Sequence, residues 1–321
     1  MNHLRTAHRH RAPLTAAVTA GLALILTACG GAASSSPSAE TSGAGETTVS
    51  TAFGDVVTPA SPERVVTLAE SALDVALAVG ITPVGTTASR GGNAAPAYLG
   101  TDAADIPIVA TVAEPNLEAI VETDPDLILA GSNLTQEQYD ALSAIAPTVA
   151  PKAPERGEWE TPLHTYGEAL GADDALTEKL DDVADRAKAL ADEGSVEGTF
   201  AVVRWMANGP VLMNSANMPG SLLQAAGATP MQAAADLGDQ PHSDPLSLEN
   251  LDQVDAQRLF VAAFGADGKT ALESARSQPA FTRLKAVESG TTEVVDGSVW
   301  SSASGPIAAS LVMDDLEEAV A

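Results

Sequence analysis

Residues 173–193 read DDALTEKLDDVADRAKALADE, and the fold turns on what this stretch connects. Leu176, Leu180, Val183, Ala187 and Leu190 recur at three- and four-residue steps. They therefore share one stripe, while acids and bases fill the remaining surface. The spacing predicts a helix over 173–193, a rod of roughly 32 Å at about 1.5 Å per residue. Short β-branched runs alternate with helical patterns on both sides of it. Upstream, RVVTL (64–68), TPVGTT (82–87), IPIVA (106–110) and DLILA (126–130) read as strands, with helices over 70–80 and 135–146. Downstream, FAVVRW (200–205), VLMN (211–214), RLFVAAF (258–264) and TEVVD (292–296) read as strands, with helices near 220–226 and from about 306. Such alternation with short connections predicts mostly parallel sheets covered on both faces. The expectation is two α/β lobes, 51–160 and 198–321, joined by a helical segment over 161–197.

An internal repeat supports that division. NLEAIVETDPDLILAG (116–131) and SLENLDQVDAQRLFVA (247–262) share Leu117/Leu248, Glu118/Glu249 and Asp124/Asp255, and each leads into an apolar strand. Asn116 and Ser247 are good N-cap residues two positions before the glutamate, which places each Glu in a helix first turn.

The amino terminus sets the compartment. Arg5, Arg9 and Arg11 form a basic region before LTAAVTAGLALILTA (14–28), an apolar run without a charge. Its length and flanks are those of a signal peptide rather than a membrane span. The run ends Leu26-Thr27-Ala28-Cys29, which resembles the bacterial lipobox, and Cys29 is the sole cysteine of the chain. The resemblance implies cleavage after residue 28 and a lipid on Cys29. Residues 29–50 are mostly Gly, Ala, Ser and Thr, cannot bury a core, and read as a flexible tether. Its reach is roughly 25 Å, from about 5–6 Å times √n. The expected location is the extracytoplasmic face of the cell membrane, with the membrane met through the lipid alone.

Composition removes several function classes. Lys+Arg is 16 against Asp+Glu 43, a net charge of −27 that leaves no positive field for nucleic acid. A single cysteine excludes a disulfide framework and multi-Cys metal sites. AFGADGKT (263–270) falls short of a phosphate-binding loop because Ala263 stands where the first glycine belongs, and it reads as a turn. His164 and His242 are the only histidines beyond residue 10; they lack a Cys partner or a serine constellation and read as surface or packing residues. Two isolated imidazoles cannot hold a bare borderline cation. No enzymatic site, metal site or cofactor is expected.

EPNLEAIVETDPDLIL (114–129), SLENLDQVDAQRLFVAA (247–263) and VVDGSVWSSASGPIAASLVMDDL (294–316), with the lipobox, resemble the siderophore and cobalamin class of ABC-transporter substrate-binding lipoproteins. The resemblance covers roughly 55–318 and implies two Rossmann-like lobes, one rigid connecting helix and a shallow cleft, the class III architecture. It implies a monomer that captures a ferric siderophore and delivers it to an ABC permease dimer; cobalamin or haem is the alternative cargo, and a non-transport envelope lipoprotein the alternative role. Ligand-binding candidates are Arg204 and Trp205, which end an apolar strand where open α/β sheets face ligand. Arg90 and Tyr98 lie in the loop after a first-lobe strand, and Trp300 follows a strand ahead of Ser304-Gly305-Pro306. Glu70 stands where relatives often carry a contact, which would suit a neutral or cationic ligand. Many relatives have an Arg two residues before E-P-N, where this chain has Val112, so Arg90 is the candidate replacement. The resemblance also assigns permease docking to Glu118 and Glu249.

Overall fold

The computed structural model describes residues 45–111 and 114–321. The signal run, Cys29, the tether up to residue 44, and Val112 lie outside the described residues. The first element departs from expectation. Residues 46–59 form an antiparallel hairpin, β1 (Glu46–Thr51) with β2 (Gly54–Pro59), so the last five residues assigned to the tether are a strand. Alternation explains it: Val49 and Thr51 point inward while Thr48 and Ser50 do not, and Val49 is fully buried in the first core. The small polar residues around Val49 masked that period.

Five short parallel strands form the first sheet: β3 (Val65–Thr67), β4 (Gly85–Thr87), β5 (Ile108–Ala110), β6 (Leu127–Leu129) and β7 (Thr148–Val149). Their spatial order is β5-β4-β3-β6-β7. The second sheet holds β8 (Thr199–Met206), β9 (Gly209–Leu212), β10 (Thr229–Pro230), β11 (Arg258–Ala263) and β12 (Thr292–Asp296). Here the order is β10-β8-β11-β12, with β9 antiparallel on β8. Each sheet reverses its winding beside its first strand, at β3/β6 and at β8/β11, which opens a crevice at the carboxyl ends of those strands.

The helix Asp173–Glu193 has the predicted bounds and buries the predicted stripe. The stripe is divided between two cores. Leu176 and Leu180 pack with Val65, Leu127 and Tyr166 of the first lobe, whereas Val183, Ala187 and Leu190 pack with Phe200, Val202 and Val312 of the second. One continuous backbone rod thus serves both cores. Arg186 ties it to the last helix, Pro306–Val320, through Asp314 (2.6 Å) and Glu317 (2.8 Å).

Two local expectations are corrected. The stretch 263–270 is not a turn: it opens the helix Gly265–Arg276, whose buried Gly268, Leu272 and Ala275 form a stripe that the Gly-Ala-Asp-Gly start obscures. Gly268 is required there, since a Cβ would lie 2.4 Å from the Trp205 carbonyl oxygen. Asn116 caps the helix Leu117–Glu122 by accepting from the Ala119 amide, but Ser247 makes no such bond, and Leu248–Val254 is a 3₁₀ segment.

Candidate functional site

A cleft of about 880 Å³ lies along the carboxyl ends of β4, β7, β8 and β12. The first sheet contributes Arg90 beyond β4 and the loop with Arg156 and Trp159 beyond β7. The second contributes Arg204 of β8, Met213 and Met218, His242, and the run Trp300–Ser304 beyond β12. Three of the eight arginines beyond residue 29 therefore meet in one cleft of a protein with net charge −27.

Strand alternation decides which candidates reach it. Along β8, Phe200 and Val202 face the core that holds Trp300, whereas Ala201, Val203 and Trp205 face the opposite core. Arg204 keeps the register of Val202 and enters the cleft. Trp205 does not: it is buried on the other face and packs edge-on against Phe281 at 5.7 Å between ring centroids. Neighbours in a strand point to opposite faces, so the pair could not both contact ligand. Trp300 forms the cleft floor while itself buried, stacked on Phe260 at 4.7 Å with its indole N–H donated to Asp315.

Arg204 is an unusual cation. It is half-buried, its Nε has no hydrogen-bond partner among the described residues, and its guanidinium lies 5.7 Å from the Phe264 ring. Burial, and then the positive charge of Arg90, lower its pKa. Arg156 is held 3.7 Å from the exposed Asp239 at the rim. A buried donor beside a like charge disfavours the empty arrangement, and an anion relieves both terms.

Glu70 and Tyr98 are placed elsewhere. The Glu70 carboxylate accepts the Arg90 backbone N–H at 2.7 Å, so it fixes the turn that carries Arg90 rather than lining the cleft. Burial raises its pKa, against that bond and the Arg90 charge. Tyr98 donates its hydroxyl to Asp74 at 2.9 Å, beneath the surface. Of the six ligand candidates, Arg90, Arg204 and Trp300 line the cleft; Glu70, Tyr98 and Trp205 do not. Sequence reasoning passed over Arg156, Trp159 and His242. The run Arg156-Gly157-Glu158-Trp159, in the loop after β7, was the available signal for the first two; His242, read as a surface or packing residue, lies at the surface of the cleft. His164 bonds Asp173 at 2.8 Å and braces the start of the connecting helix.

Asp74 is the only charged side chain among the described residues that is buried, and burial raises its pKa to about 6 against three donated hydrogen bonds. The folded value exceeds the ordinary 3.8, so this group favours the folded chain fully below about 3.8 and loses that contribution as pH rises through about 6. At about 1.4 kcal/mol per pH unit the gap is worth about 3 kcal/mol. In urea unfolding, the native chain is expected to gain about 3 kcal/mol relative to Asp74→Asn between about pH 7.5 and about pH 3.5. A pH-independent difference would contradict it.

A family model described as periplasmic binding protein matches residues 65–295. The chain belongs to that family. It is 34% identical over 309 residues to the "Probable siderophore-binding lipoprotein YfiY" of Bacillus subtilis, covering 92% of this chain and 93% of the relative. Against the "Fe(3+)-citrate-binding protein YfmC" of the same organism, identity is 31% over 254 residues, covering 77% and 78%. Among solved structures, Staphylococcus aureus SirA complexed with staphyloferrin B has 25% identity and a TM-score of 0.71, covering 85% of this chain and 98% of that one. The two-lobed α/β architecture is shared with this neighbour. Among the described residues no group of three or more His, Cys, Asp or Glu is placed to hold a metal ion, and no helix is long and apolar enough to cross a membrane.

Proposed function

We propose that this periplasmic binding protein is an extracytoplasmic lipoprotein that captures an anionic ferric siderophore and delivers it to an ABC permease. The observation that carries the reading is the cleft: Arg90, Arg156 and Arg204 converge there against an acidic background, over a Trp300 floor. Guanidinium groups match carboxylate and other oxygen-rich chelate edges with paired, charge-assisted hydrogen bonds. Relatives named for siderophore and Fe(3+)-citrate binding support the same chemistry. Arg90 and Arg156 supply cations to the cleft from the first-sheet side. Net charge repels an anion at long range, but screening confines that field to about 8–10 Å, and capture is local. Iron chelate is cargo in this reading, with no resident cofactor and no catalytic step.

Titration by tryptophan fluorescence tests it. Ferric citrate and ferric siderophores are expected to quench Trp159 and Trp300, whereas cobalamin and haemin leave emission unchanged once their own absorbance is corrected. Saturable binding of cobalamin or haemin alone would replace the cargo.

Delivery requires an anchor and a docking face. Cys29→Ser is expected to abolish acylation, because the chain has no other thiol, and to leave the precursor uncut or the protein released. Fractionation checks this; a cleaved variant still bound to membrane would refute the anchor. For docking, Glu118 and Glu249 are exposed on different lobes, and each follows an exposed leucine, Leu117 (39% exposed) and Leu248 (37% exposed). Leu248 also borders a groove of about 290 Å³ with Leu246 and Ala275. Two matched Leu-Glu pairs suit a two-fold permease dimer, one pair per subunit.

A further inference from the structure

The helix Glu70–Ala78 belongs to the first lobe, and Leu73, Val75 and Ala76 beside Asp74 are buried apolar residues. A carboxylate at 74 is costly in that setting, since the group is desolvated and no cation pairs with it among the described residues. Two of its three partners lie in the other lobe. Asp74 Oδ1 accepts the Ile307 amide at 2.8 Å, and Oδ2 accepts the Ala308 amide at 3.1 Å, across more than 230 residues of chain. These are N–H groups of the first turn of Pro306–Val320, which has no side-chain cap of its own. A carboxylate there meets unpaired donors and the positive end of the helix dipole. Tyr98 donates the third bond, and the Glu70 carboxylate, which accepts the Arg90 backbone N–H, also acts on Tyr98.

The approach is tight. A Cβ on Gly305 would lie 2.3 Å from Asp74 Cγ, so the contact demands glycine. Ile307 then packs with Leu73, Leu99 and Ile106 of the first lobe. The residues immediately before Gly305 are Ser301–Ser304, a wall of the cleft, where the Ser302 hydroxyl is buried without a partner among the described residues.

We propose that Asp74 is a positioning residue for chelate binding: by capping the last helix from the opposite lobe, it holds the Ser301–Ser304 wall at a fixed distance from Arg90 before ligand arrives. The inference rests on the cleft being the chelate site. A cleft set in advance does not spend binding energy on ordering itself, so its loss is felt in affinity. For stability two effects oppose each other. Asp74→Leu removes a desolvated carboxylate, but leaves the Ile307 and Ala308 amides and the Tyr98 hydroxyl without that acceptor, so the net change is small while the local contact is lost.

The test uses the full chain in detergent, with Asp74→Leu, Asp74→Asn and, as reference, Arg204→Ala. Hydrogen exchange of the unliganded chain reads the wall directly: segment 301–309 is expected to lose protection in Asp74→Leu, while the connecting helix keeps its own. Fluorescence titration with ferric citrate, or with the tightest chelate of the panel above, is expected to show at least a tenfold loss of affinity in Asp74→Leu. Asp74→Asn, which keeps one acceptor, is expected to recover part of it. Thermal midpoint in Asp74→Leu is expected to hold. Wild-type protection of 301–309 in Asp74→Leu would overturn the proposal, as would a lower midpoint with unchanged affinity. Weakened binding in Arg204→Ala alone would overturn it and leave the cleft standing; unchanged binding in both would remove the cleft as well.

Discussion

Arg204→Ala is expected to bind the ferric chelate on the order of 10–150-fold more weakly, while the fold stays as stable as before. The factor corresponds to about 1.5–3 kcal/mol for a charge-assisted hydrogen bond in a desolvated site. Arg204 suits that role because its Nε is buried and unpartnered among the described residues. The same facts predict the unusual half of the result. Removing a half-buried guanidinium relieves its desolvation and its repulsion from Arg90, so truncation deletes two unfavourable terms along with its contact to Phe264. Adding Arg90→Ala is expected to weaken binding further without unfolding the chain. Isothermal titration at two ionic strengths checks both claims: native affinity falls as salt rises, and the double variant loses most of that dependence. An Arg204→Ala protein that binds normally would place the chelate outside this cleft. Trp205→Ala provides the contrast. Its ring is core, so its expected effect is a loss of roughly 3–5 kcal/mol of stability, with the affinity of the folded fraction unchanged.

The architecture was legible because it follows from periodicities. The stripe Leu176–Leu190 needs only 3.6-residue spacing to be seen, and the structure buries those five residues. Its division between two cores was not visible, since all five positions read as one apolar face. At the site, the sequence located strand ends but not side-chain direction. Arg204 and Trp205 are adjacent at the end of β8, and only a register fixed by Phe200 and Val202 shows which faces the cleft. Arg156 was missed because it sits in a loop, where no period marks it and lobe packing alone brings it to Arg204's cleft. Asp74 was hidden for the opposite reason. On the helix pattern it is one polar residue among apolar ones, and its partners Ile307 and Ala308 are more than 230 residues away. Hydrophobic pattern carries no information about a contact of that kind.

The combined variant Glu118→Arg/Glu249→Arg is expected to keep chelate affinity and lose nearly all uptake. Both side chains are exposed, and neither forms an ion pair among the described residues, so reversal leaves the fold undisturbed. They lie outside the cleft lining, which protects affinity. A first-turn acid at a helix N-terminus is common, and the dipole alone accounts for Glu118 beside its Asn116 cap. It accounts less well for Glu249, which stands in a 3₁₀ segment broken at Asn250 and lacking a side-chain cap. It does not account at all for the exposed leucines that precede both acids. An apolar residue beside a carboxylate, repeated on two lobes, fits a partner offering an apolar seat rimmed by cations. Rim charges govern association, and like charges in contact cost several kcal/mol. Each single reversal is therefore expected to cut uptake strongly, because under the proposed docking one lobe would meet its partner with a reversed charge. Leu117→Ser/Leu248→Ser is expected to reduce uptake more mildly, without the salt dependence of the charge reversals. Uptake of radiolabelled iron at matched surface abundance decides it. Normal uptake by the doubly reversed protein would leave both glutamates as helix-start acids and send the docking face elsewhere.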